Sequence, residues 1–160
     1  MTHYALLRHG FDIARKPDRL GGSHDDPFWL KLNHGHGHGH SSEKPTWLTG
    51  NVLWLVSWEG TMKIRHMLCG WFVVERVGKC KAVIATHTAC GTEGSLFPYN
   101  LGPLDQQPWF LKFVENHRKF RDGEPTDITE NLDDLTSFVR NAGCTVPAVE
   151  SLARQGSTAG

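Results

Sequence analysis

Residues 51–77, NVLWLVSWEGTMKIRHMLCGWFVVERV, decide the fold. Two runs rich in Val, Leu, Trp and Phe flank a short polar stretch centred on Gly60 and Thr61, the pattern of two antiparallel strands with a short connection. In the first run Val52, Trp54, Val56 and Trp58 fall on one face, and Leu53, Leu55 and Ser57 on the other. In the second, Met67, Cys69, Trp71, Val73 and Val77 alternate with Leu68, Gly70, Phe72 and Val74. Both faces are largely apolar, which suits a small, strongly curved sheet or barrel rather than an exposed hairpin. Gly70 marks a bend or bulge of the kind that closes small barrels. Ser57 and Trp58 end the first strand, where a barrel mouth would lie. A hydroxyl beside an indole there suits a binding pocket.

Outward from this hairpin, residues 3–7 read as a short first strand. Residues 8–46 are irregular, with 21–46 as a loop insertion whose only apolar patch is Phe28-Trp29-Leu30. Residues 81–86 (KAVIAT) form a third strand, and 88–108 a Gly- and Pro-rich loop holding one short strand near Ser95-Leu96-Phe97. Apolar residues at helical spacing predict a helix over 108–120, with Pro108 in its first turn. A second helix over 129–142 carries Leu132, Leu135, Phe138 and Val139 on one face and stops at Gly143. The expected architecture is mainly β (α+β): one domain over 1–149, a small twisted β-barrel with one or two peripheral helices. A flexible tail follows over 150–160.

Composition narrows the function classes. The chain has 160 residues, enough for one domain with a real core. Lys plus Arg (17) equals Asp plus Glu (17), so nucleic-acid binding would rest on local patches rather than bulk charge. Six tryptophans are many for this length, and indole rings belong in a core or in a base-stacking pocket. No apolar run reaches the ~20 residues that span a bilayer, and the N-terminus has no signal-peptide pattern. A cytoplasmic protein without membrane contact is therefore expected. Cys69, Cys80, Cys90 and Cys144 show no CxxC spacing and read as free thiols.

Two features suggest metals without supporting a metal site. The tract His34-Gly35-His36-Gly37-His38-Gly39-His40 carries imidazoles on a flexible backbone, whereas a metal centre needs fixed geometry. Cys80, His87 and Cys90 with Cys69 match no zinc spacing. Neither a metal nor another cofactor is expected.

The string Leu6-Leu7-Arg8-His9-Gly10 resembles the phosphate-binding Arg-His-Gly of histidine phosphatases, and Thr86-His87-Thr88 stands where a second histidine would be sought. That resemblance would imply a phosphoryl hydrolase. Trp-rich strands occupy the place of the intervening helices, and the span between His9 and His87 is short for a doubly wound α/β domain.

A broader resemblance covers most of the chain. A first strand with Tyr4, a variable loop, a strand ending in Ser-Trp, and then Arg-x-x-x-x-Gly-Trp-Phe-x-Val over 65–74 is an order similar to the PUA-like superfamily, which includes EVE, YTH and ASCH domains. Pro-Leu-Asp-Gln-Gln-Pro-Trp-Phe over 103–110, with Phe120 and Gly123, resembles the tail of PUA-like domains that accompany modification-dependent nucleases. The long 8–46 loop departs from that pattern, and no nuclease motif is present. The resemblance implies a reader that binds DNA or RNA carrying a modified base, with a nuclease as partner, and does not cut.

Such a reader extrudes the base, stacks it between aromatic faces and reads its edge with polar groups. Trp58 is the first stacking wall and Trp29 its opposite; Ser57 reads an edge, and His9, Asp26, Tyr99 and Asn100 complete the rim. Lys112, Arg118, Lys119 and Arg121 form the best local basic patch for phosphates. ASCH-like relatives imply a rival reading, an amidohydrolase acting on a modified nucleoside. Glu59, Thr61 and Lys63 would then carry the chemistry from the hairpin turn, where solvated charge is otherwise the default.

Overall fold

A computed structural model of the protein describes residues 1–9, 28–32, 45–79 and 87–148. Its strands are β1 (His3–His9), β2 (Phe28–Leu32), β3 (Val52–Glu59), β4 (Arg65–Val73), β5 (Arg76–Lys79), β6 (His87–Gly91), β7 (Gly94–Leu101) and β8 (Thr126–Asp127). Three helices follow the long strands: α1 (Pro108–Asn116), α2 (Arg118–Arg121) and α3 (Leu132–Asn141). The fold is mainly β. Five strands form one sheet in the order β7-β4-β3-β1-β8, and three form a second in the order β2-β6-β5. β1 runs parallel to β3, and every other pairing is antiparallel.

The expected hairpin is present, with Val52 opposite Val73 and Glu59 opposite Arg65. β4 and β7 continue past their sheet into β5 and β6. At that bend the Val73 N–H donates to the Glu93 carbonyl and the Glu75 N–H to the Cys90 carbonyl, both at 2.8 Å. Gly91 lets the corner form, because a Cβ there would collide with the Val73 carbonyl oxygen. Neither sheet closes on itself among the described residues.

The sheet's two faces serve two cores. Ala5, Leu7, Trp54, Val56 and Trp71 pack toward Phe110, Phe113, Phe120, Leu135 and Val139 of the helices. Leu6, Leu53, Leu55, Phe72 and Val74 pack between the sheets against Leu30, Leu32, Val77 and Ala89. Trp54 and Trp71 are core residues whose indole N–H groups are satisfied, by His3 Nδ1 at 3.0 Å and the Thr145 carbonyl at 2.9 Å.

Simple alternation fails in β4. Leu55 pairs with Gly70 and Val56 with Leu68, so Cys69 is an extra residue on its strand. The bulge exchanges the faces: Leu68 joins Trp71 on the helix side, while Cys69 joins Phe72 between the sheets. Gly70 marks it, as its position in the strand suggested. A Cβ at Gly70 would strike the Ser95 carbonyl oxygen and approach Leu96 Cα to 3.0 Å.

Other expectations change at the edges. Phe28–Leu32 is a full strand, paired with β6, rather than a patch in an irregular loop. The loop expected over 88–108 holds most of β6 and all of β7. The predicted 108–120 helix is two helices broken at His117, whose Nδ1–H donates to the Phe113 carbonyl at 2.8 Å. That carbonyl is the acceptor the backbone N–H of His117 would need to continue the helix, so the side chain replaces the turn. α3 begins after a 3-10 turn at Thr129–Asn131 and ends in a Schellman arrangement at Gly143 (φ 76°), with the Cys144 N–H on the Val139 carbonyl at 3.1 Å. The expected 81–86 strand, most of the 21–46 insertion, the His34–His40 tract and the 150–160 tail lie outside the described residues.

Candidate functional site

The C-terminal ends of β1 and β3 and the start of β4 come together at one end of the five-stranded sheet. In register, His9 stands beside Trp58, and Trp58 beside His66. All three alternate with residues of the helix-side core, so they form an aromatic row across three strands. His9 is exposed and Trp58 half-buried, with ring centroids 4.3 Å apart and planes tilted by 59°. His66 ends the row. Its backbone N–H donates to Asp105 Oδ2 at 2.6 Å, and its Nδ1–H to Asp105 Oδ1 at 2.7 Å. Phe110 meets the same imidazole edge-on at 5.2 Å.

The opposite face of these strand ends is polar. Arg8 stands beside Ser57 in register. Arg8 Nη1 donates to the Leu7 carbonyl at 3.1 Å and the Gly123 carbonyl at 2.9 Å, and burial lowers its guanidinium to about 10. It remains cationic at neutral pH. Ser57 is fully buried, and its hydroxyl meets no oxygen or nitrogen partner; its neighbour is the Cys69 thiol. Burial pushes that thiol up, and the weak bond to Ser57 opposes the shift. Across the bulge, β7 places residues 97–100 opposite Cys69, because Leu68 pairs with Leu101 and Gly70 with Leu96. Asn100 belongs to this segment, and its Oδ1 is buried without a hydrogen-bond partner. Asn100 Oδ1 thus stays unpaired, at a cost in stability, while Ser57 Oγ has the Cys69 thiol alone.

The sequence-predicted residues divide accordingly. His9 and Trp58 come together on the helix side, while Ser57 faces the inter-sheet side with Leu53 and Leu55, and Asn100 lies on β7 opposite the bulge. Trp29 lies on β2 opposite Cys90, and its side chain is outside the described residues, as is the whole of Asp26. Tyr99 is 83% exposed and packs into neither core. Lys112, Arg118 and Lys119 are exposed, with Arg118 Nε 3.7 Å from Asp122 Oδ2. Arg121 differs: its Nη1 donates to the Val114 and Glu115 carbonyls at 3.1 and 2.9 Å, which closes the C-terminus of α1. It is a capping residue first.

Glu59 ends β3 opposite Arg65, and Thr61 and Lys63 are exposed on the β3–β4 turn. No three His, Cys, Asp or Glu side chains converge on a metal-sized site among the described residues, and Cys80 lies outside them. No helix among the described residues is long and apolar enough to cross a membrane. The sequence reading missed His66 and Asp105 as site residues and met Arg8 only in the phosphatase-like string. A hint was present in the polar Arg65-His66 pair that opens β4, but nothing local joins His66 to Asp105. Comparison of the chain with protein-family models, curated proteins and solved structures gives no match.

Proposed function

We propose that the chain is a nucleic-acid reader of a flipped, modified base, built on a PUA-like twisted barrel of which the two sheets are walls. The observation that carries this reading is the His9–Trp58 pair: an exposed imidazole and a half-buried indole, side by side on the last register of two parallel strands. Strands hold both rings rigidly, and an aromatic surface at a sheet end offers a base ~1–3 kcal/mol of stacking. Ser57 stands apart from this stack, fully buried on the inter-sheet face with Leu53 and Leu55, so the two rings make the contact with the base. Arg8 holds a fixed positive charge at the same sheet end, on the Gly123 carbonyl.

The experiment is a binding panel of DNA and RNA oligonucleotides with different modified cytosines and adenines, at two salt concentrations. A pocket reader discriminates among modifications with a shallow salt slope, whereas a phosphate binder shows a steep slope and no discrimination. Equal affinity for all modified and unmodified strands would end the reading.

A further inference from the structure

A cavity of about 330 Å³ opens on the helix layer, away from the strand ends. One wall is the face of α1 that carries Trp109, Lys112 and Asn116; the other is the turn before α3, with Glu130 and Asn131. The volume lies within the range of small-ligand sites, at its lower end. Trp109 is half-buried, and its ring is held edge-on by Phe110 at 5.8 Å. His117 lies 4.4 Å from Phe113 in a stacked pair, and its Nδ1–H is committed to the Phe113 carbonyl. When neutral, its Nε2 is therefore an acceptor.

The lining does not suit a purely apolar guest. It combines an indole, two side-chain amides, one ammonium and one carboxylate. The amides of Asn116 and Asn131 offer donors and acceptors together, the pattern that matches a heterocyclic base edge. An ammonium suits a phosphate. A carboxylate repels a phosphate and accepts only from donors, so Glu130 calls for the hydroxyls of a sugar.

We propose that this cavity is a ribonucleotide subsite, with the base on Trp109, its edge on Asn116 and Asn131, the ribose hydroxyls on Glu130 and the phosphate on Lys112. This deepens the reading above, on which its biological role rests: an unmodified nucleotide of the same RNA strand docks here while the modified base is read at the strand ends. The ring contacts Trp109–Phe110 and Phe110–His66, and then the register pair His66–Trp58, join the two sites through one packed row.

The test titrates the full chain with adenosine 5′-monophosphate and with its 2′-deoxy analogue, following the Trp109 indole N–H and the Asn131 amide by NMR. The ribonucleotide is expected to shift both resonances saturably by about 1 mM ligand, a weak affinity suited to a single nucleotide. Glu130→Gln, an exposed change with no fold to disturb, is expected to bring the two analogues to equal affinity. Lys112→Glu is expected to weaken both about tenfold, as one lost phosphate contact would. Unmoved Trp109 and Asn131 resonances, or equal affinities for the two analogues in the parent chain, overturn the proposal. These outcomes are independent of the modified-base panel, so either idea can fail alone.

Discussion

Asp105 grips His66 with both carboxylate oxygens, one on the backbone N–H and one on the ring Nδ1–H. These residues are distant in sequence, and their contact ties the turn before α1 to the first residues of β4. It also fixes the imidazole that stands next to Trp58 in register. Asp105→Ala leaves a half-buried N–H and a ring N–H without their acceptor. The expected cost is about 1–3 kcal/mol in urea unfolding, with Asp105→Asn intermediate because its amide oxygen still accepts one bond. A change of less than about 0.5 kcal/mol for the alanine variant would show that the contact is incidental.

His3 is expected to make the fold acid-sensitive. Burial, reinforced by the nearby N-terminal charge, lowers its pKa from the ordinary 6.5 to about 4, against a smaller upward pull from Asp127. Its Nδ1 accepts from Trp54 Nε1, which requires the neutral ring. Between those pH values the unfolded chain binds the proton and the folded chain does not. Stability is therefore complete above about pH 6.5, falls as pH drops toward 4, and is flat below. The loss amounts to no more than about 3 kcal/mol. His3→Gln should reduce the fall between pH 7 and pH 4.5, because its amide oxygen accepts the Trp54 bond without a titrating group. Identical pH slopes for parent and variant would refute the assignment.

The basic residues of the helix layer should separate into two kinds. Arg121→Ala removes a side chain that caps two carbonyls at the end of α1, and is expected to cost about 1 kcal/mol and lower the melting temperature. Arg118 is 85% exposed and only loosely paired with Asp122, so Arg118→Ala should change stability by less than about 0.5 kcal/mol. The reverse order in a thermal melt would contradict the capping role.

The hairpin was legible in the sequence because both of its strands announce themselves by composition and Gly70 breaks the second. Its register was not legible, since one inserted residue, Cys69, moves Leu68 and Trp71 onto the same face. Alternation cannot locate such an insertion without the partner strand. β6 was hidden by its content, HTACG, which has little β-propensity and is held by pairing on both sides with β2 and β5. The helix over 108–120 was read from its apolar spacing, but the break at His117 depends on a side-chain bond that spacing does not encode. The same limit applies to the site. Trp58 could be named from its strand end and His9 as a rim residue beyond the expected 3–7 strand, whereas their contact requires β1 to run on to His9, parallel to β3 in one register. Asn100 was named as a rim residue, yet its place opposite the bulge follows only from the β4–β7 pairing.

Trp58→Ala is expected to weaken binding of the preferred modified oligonucleotide far more than Arg118→Ala does. Trp58 presents a half-buried ring at a sheet end beside exposed His9, so its loss removes a stacking surface worth ~1–3 kcal/mol, or roughly 5- to 150-fold in affinity. Arg118 offers a phosphate contact alone; its loss should weaken modified and unmodified strands alike and reduce the salt slope by about one. Stability is the control. Trp54, fully buried and bonded to His3, should cost ~3–5 kcal/mol as Trp54→Ala, whereas half-buried Trp58 should cost clearly less and leave a folded protein at 25 °C. A folded Trp58→Ala chain that still separates modified from unmodified strands as well as the parent removes this ring from the recognition surface.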